Sequence, residues 1–164
     1  MAKTGTDEYK AERFRLKIAK STYSNENFFE SLPEQIKEFF STQVPMEPKE
    51  IPVFGSFDDE SIWYLATTRR IVWSTPAIEH QLRYSQIKSI EQTPHYRAQS
   101  VEELQSQEYR DQVFEQKLEW PWYKLIDSED NSFEMLLAGA SPLMSGIRFM
   151  INLEKIHPSL RDGA

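Results

Sequence analysis

No cysteine occurs among the 164 residues. That one absence removes a disulfide framework, a thiolate metal site and a cysteine nucleophile. Glycine is scarce, at five residues. Little is left from which to build phosphate-cradling or oxyanion loops, and no Gly-x-Ser-x-Gly elbow, phosphate loop or dinucleotide fingerprint is found. Long apolar runs are missing as well. The longest, Met135 to Ala140, falls far short of the ~20 residues that a bilayer-spanning helix needs, and Met1 to Glu8 has no apolar stretch of signal-peptide type. Positive charge is in deficit, with 19 Lys and Arg against 26 Asp and Glu for a net of −7. Neutralising nucleic-acid phosphates needs the opposite balance, and an anionic membrane surface repels such a chain. The expectation is a cytoplasmic protein that uses neither nucleic acid nor a membrane as its partner.

What is present argues for a folded domain. Aromatic side chains make up 13% of the chain, a share that disordered segments lack. Ala11, Phe14 and Ile18 fall at helical spacing among charged neighbours and predict a first helix. Ser31-Leu32-Pro33-Glu34 has a capping-box spacing with Pro at the first helical position, and Leu32, Ile36, Phe39 and Phe40 form one stripe behind it. Pro45 and Pro48 end this second helix, because a proline interrupts the helical ladder. From Ile51 onward the pattern becomes β. Ile62 to Thr67 and Ile71 to Ser74 are rich in β-branched and aromatic residues, with Thr68-Arg69-Arg70 as a tight connection. Ile78, His80, Leu82 and Tyr84 alternate onto one strand face, and Gln86 to Gln92 reads as a weaker strand. Leu118 to Ile126 and Phe133 to Ala138 flank the polar turn Asp127 to Asn131 as a hairpin. Ser141-Pro142 opens a last helix carrying Leu143, Ile147, Met150 and Ile151, with Gly146 as its weak point.

Two parts follow: an N-terminal helical extension over 1–48 packed on a main domain over 49–164, which carries a polar, acidic helical insert near 95–115. The acidity lies late in the chain. Residues 100–164 hold six basic and twelve acidic side chains, whereas 1–42 balance at seven of each.

The segment Trp63 to Trp73, with its apolar strand ending in Thr and an Arg opening the next, resembles the hairpin of the bacterial pleckstrin-homology-like and GRAM-like families. Leu82-Arg83-Tyr84-Ser85-Gln86-Ile87-Lys88-Ser89-Ile90 is similar to the segment that follows in those families, and Ala140-Ser141-Pro142 entering the last helix fits them too. The resemblance covers about residues 50–157. It implies an α+β fold in which an antiparallel barrel or sandwich is closed by a C-terminal helix. Lipid-binding members carry Lys and Arg around the loop joining their first two strands. Here the corresponding stretch, Gly55 to Ser61, holds Asp58, Asp59 and Glu60, which repel phosphate.

Chemistry-bearing residues are few. His80, His95 and His157 show no metal-ligand spacing, so neither metal nor cofactor is expected. His80, on the apolar face of its strand, reads as a hydrogen-bonded, half-buried side chain. No catalytic set is assigned. The residues expected to bind are the acids Asp58, Asp59, Glu60, Glu102, Glu103, Glu108 and Asp111 and the paired rings Trp120 and Trp122, which share one strand face around Pro121. The leading expectation is a non-catalytic module that grips a basic protein partner, for instance a cytosolic inhibitor or toxin-immunity protein. A lipid-surface module is the alternative, and an enzyme with a carboxylate and His80 or His95 site is the second alternative.

Overall fold

The computed structural model describes residues 5–20, 26–75, 78–92, 122–136 and 141–156. Helix α1 spans Asp7–Ala19 and starts where Thr6 Oγ1 accepts from the Tyr9 amide at 3.2 Å. Acids Asp7 and Glu8 occupy its first turn and Lys17 its last, as the helix dipole favours. Helix α2 spans Glu34–Gln43. Pro33 stands at its cap position rather than inside it, and no side chain caps this end. Ser31 belongs instead to a 3-10 turn over Phe29–Ser31, and Leu32 and Pro33 are both extended, so the expected capping box does not form.

Among the described residues, seven antiparallel strands make two sheets. β1 (Pro52–Asp59), β2 (Ile62–Thr67), β3 (Arg70–Ser74) and β4 (Glu79–Arg83) follow one another in the first sheet. β5 (Ile87–Gln92), β6 (Trp122–Asp127) and β7 (Ser132–Leu136) form the second. Helix α3 (Ser141–Ile156) follows. The insert near 95–115 lies outside the described residues. Tyr84, expected at the end of the fourth strand, enters a 3-10 turn over Tyr84–Gln86. The first strand runs further than expected: Gly55 to Asp59 are paired with β2, and Glu60-Ser61 alone separate the two strands.

The central strands of the first sheet, β2 and β3, are buried on both sides. The sheet's inner face contributes Phe54, Tyr64, Ala66, Ile71, Trp73 and Leu82 to a core shared with Leu125, Met135, Phe14, Ile18 and the α3 side chains Leu143, Met144, Ile147 and Met150. Its outer face offers Trp63, Leu65 and Val72 to Leu32, Phe40 and Val44 around α2. This explains why β2 and β3 read as unbroken apolar runs rather than alternating ones. Phe40 is fully buried, which stabilises the α2 contact by ~1.5–3 kcal/mol. Gly55 permits the approach: a Cβ there would lie 3.1 Å from the Tyr64 carbonyl and 3.2 Å from Phe40. Gly146 does the same between helices. A Cβ at Gly146 would stand 2.4 Å from Phe14 Cε2 and 2.8 Å from Ile18 Cγ1. The expected weak point of the last helix is therefore its contact with α1.

Candidate functional site

The β2–β3 connection gathers charge. Arg69 is 8% exposed. Its Nε and Nη2 donate to the two Asp7 carboxylate oxygens at 3.2 and 2.9 Å, and its Nη1 donates to Glu47 at 3.0 Å. Nη2 also reaches the Pro48 carbonyl at 3.0 Å. Arg70 holds both Glu50 oxygens, at 2.9 and 3.0 Å, and donates to Gln81 at 2.7 Å and the Pro45 carbonyl at 2.7 Å. Arg83 closes the group by pairing with Glu47. Thr68 donates to Asp7 and Thr67 to Glu50, each at 2.6 Å. The Tyr84 hydroxyl lies 2.7 Å from the Thr67 carbonyl and 3.1 Å from that of Arg70, fixing the turn from below.

Electrostatics follow from these contacts. Burial pushes the Asp7 carboxyl up, but hydrogen bonds from Arg69 and Thr68, with the charges of Lys10 and Arg69, outweigh it and hold it below the usual range. The hydrogen bond from Arg83 lowers Glu47 against its partial burial, with help from Arg69. Lys10 is fully buried 3.8 Å from Asp7. Its desolvation lowers the ammonium pKa despite the attraction of Asp7 and Glu154. The hydrogen bonds and charges around Arg69, Asp7 first, raise its pKa further. Paired in this way, Arg69 and Arg70 brace the fold and do not face a phosphate ligand.

The expected acids Asp58, Asp59 and Glu60 do come together, at the exposed tip between β1 and β2. They are not equivalent. Asp59 Oδ1 accepts from the Ser61 amide at 2.7 Å, the Ser61 hydroxyl at 2.6 Å and the Ile62 amide at 3.1 Å, which lowers its carboxyl pKa. Asp59 therefore shapes the turn, and Asp58 and Glu60 carry its outward charge. An aromatic shoulder stands beside the tip. Phe39 of α2 meets Phe57 of β1 with ring centres 4.9 Å apart and Trp63 at 5.7 Å, and the Trp63 indole donates to the Glu60 carbonyl at 3.3 Å. Phe39 and Phe57 are only partly buried. The aromatic platform expected from the sequence is the pair Trp120 and Trp122, not these rings. Phe57, adjacent to Asp58 in the chain, carried the signal that would have found this shoulder.

Glu102, Glu103, Glu108, Asp111 and Trp120 lie outside the described residues. Trp122 is the first residue of β6, in register with Leu136. His95 and His157 also lie outside. His80 is half-buried as expected, but its neighbours are rings: it stacks on Trp73 at 5.1 Å and meets the edge of Phe133 at 5.6 Å, and desolvation lowers its pKa. Among the described residues no group of three or more His, Asp and Glu could hold a metal ion, and no helix is long and apolar enough to cross a membrane. A groove of about 280 Å³ lies along α1, lined by Arg15, Leu16, Ala19, Phe28, Glu30 and Ser31, with none of the tip residues in it. Comparison with known protein families, with curated proteins and with solved structures returned no match.

Proposed function

We propose that this protein is a non-catalytic protein-binding module on a pleckstrin-homology-like frame, which presents the β1–β2 tip to a basic protein. Inhibition of a basic toxin, as an immunity protein does, is a role that suits such a surface. The observation that carries the reading is the tip itself: exposed Asp58 and Glu60 flanked by the partly buried rings of Phe39 and Phe57. Carboxylates steer a cationic partner and raise its on-rate, while rings accept Arg or Lys stems and their charge. The element order of four strands, three strands and a C-terminal helix agrees with the frame. Lipid headgroup binding is disfavoured at this turn and the next. The first is acidic, and the cations of the second are held by Asp7, Glu47 and Glu50.

Titration with an Arg/Lys-rich peptide, followed by tryptophan fluorescence through Trp63, tests the reading. Binding should weaken steadily as salt rises. Replacing Asp58→Lys and Glu60→Lys together should cost about tenfold or more in affinity at low salt. Affinity indifferent to salt and to both substitutions would refute the assignment. Flotation with phosphoinositide-containing vesicles would refute it too.

A further inference from the structure

The order β1-β2-β3-β4 gives the first sheet two outer strands. β1 is covered where Phe28 bridges to Phe54 and the Gly55 amide donates to the Asn27 carbonyl at 2.8 Å. Among the described residues no strand pairs with the outer side of β4.

Ladder parity decides which backbone groups of β4 point outward. Antiparallel pairs alternate between those that exchange N–H···O bonds and those that do not. Thr75 and Ile78 exchange both bonds, at 3.0 and 3.2 Å, and the Tyr84 amide reaches the Arg69 carbonyl at 3.3 Å. Between them, His80 stands opposite Trp73 and Leu82 opposite Ile71. Ile78, His80, Leu82 and Tyr84 thus direct their backbone groups at β3, and Glu79, Gln81 and Arg83 turn theirs away.

That outward set complements itself. Two β4 strands running antiparallel about a two-fold axis at Gln81 would set Gln81 against the partner's Gln81 and Glu79 against the partner's Arg83. The Gln81 amide and carbonyl, the Glu79 amide and the Arg83 carbonyl then meet their counterparts, the Arg83 amide already donating to Gln86 Oε1 at 2.9 Å, and both flanking pairs have opposite charge, with Arg83 also paired to Glu47 of its own chain. A one-residue slip sets outward groups against groups already bonded to β3, and a two-residue slip leaves charges unmatched. Charges on an edge strand normally forbid such pairing; here their spacing favours one register. Ile78, 58% exposed just before the strand, lies at the end of this contact. We propose that the protein forms a two-fold symmetric dimer by edge-to-edge pairing of β4 in the Gln81-centred register, a surface separate from the acidic tip.

Sedimentation velocity over a wide concentration range should show a species of twice the chain mass. Gln81→Pro removes an amide that points away from β3, so the variant should keep its circular dichroism spectrum and sediment as a monomer. Glu79→Arg opposes like charges at both ends and should raise the dissociation constant about tenfold or more. Because the chain has no cysteine, single thiols report the register. Gln81→Cys should form disulfide-linked dimers under mild oxidation, since paired Cα atoms lie about 5.5 Å apart, and Glu79→Cys should not. A chain that stays monomeric at every concentration overturns the proposal. So does a dimer that survives both Gln81→Pro and Glu79→Arg, or equal cross-linking at positions 79 and 81.

Discussion

Tyr64 is 1% exposed and stacks on Phe54. Among the described residues its hydroxyl has no hydrogen-bond partner, and desolvation raises its pKa. A buried phenol without a partner loses water and gains nothing in exchange. Tyr84, equally buried, differs because its hydroxyl meets two turn carbonyls. The two tyrosines should therefore respond oppositely to loss of the oxygen. Tyr64→Phe should raise unfolding free energy by ~1 kcal/mol in urea titrations, and Tyr84→Phe should lower it by a similar ~1 kcal/mol. Strand patterning puts both on an apolar face, and the polar neighbours Arg83 and Ser85 of Tyr84 do not show which hydroxyl finds a partner. The distinction depends on which carbonyls the folded chain brings to each ring.

At the scale of elements, the contact of α1 with α3 reverses a rule of helix propensity. Gly→Ala inside an exposed helix gains ~1 kcal/mol. At Gly146 the added methyl would enter the space held by Phe14 and Ile18, and such overpacking costs ~1–3 kcal/mol. Gly146→Ala should thus lower the thermal midpoint, whereas a gain in stability would show that the helices are not in contact there. The stripes Ala11-Phe14-Ile18 and Leu143-Ile147-Met150-Ile151 were legible in the sequence, and all are buried. Their mutual fit was not, because spacing shows which face is apolar without showing what lies against it. The start of α2 was misplaced for a related reason. Capping-box spacing at Ser31 describes one possible start, and the extended Leu32 and Pro33 move the helix past it.

At the scale of the whole molecule, one charged group joins α1, the α2–β1 connection, the β2–β3 turn and β4. Asp7 and Glu47 both have carboxyls below their ordinary values when folded. A lowered folded pKa stabilises the native state above the unfolded value, and that contribution is lost as pH falls through the folded value. Stability should hold at neutral pH and decline below about pH 4, where unfolded Asp and Glu take up protons. Asp7→Ala leaves Arg69 buried with part of its partnership missing and should cost ~3–5 kcal/mol. It should also flatten the acid limb of a stability-against-pH curve measured by denaturant unfolding. An unchanged acid limb would place the pH sensitivity elsewhere.

Local sequence determined the element types: two helices, a run of short antiparallel strands with a polar Asp127–Asn131 turn, and a last helix. Those depend on spacing, turn chemistry and the breaks at proline, which act over a few residues and can be read along the chain. Tertiary structure alone decided that Arg69 and Arg70 are internal braces, that Phe39 joins Phe57 beside the acidic tip, and that no strand among the described residues pairs with the outer side of β4. Each of these depends on residues far apart in the chain meeting in space, as Asp7 meets Arg69 across 62 positions. Periodicity and composition carry no record of such meetings.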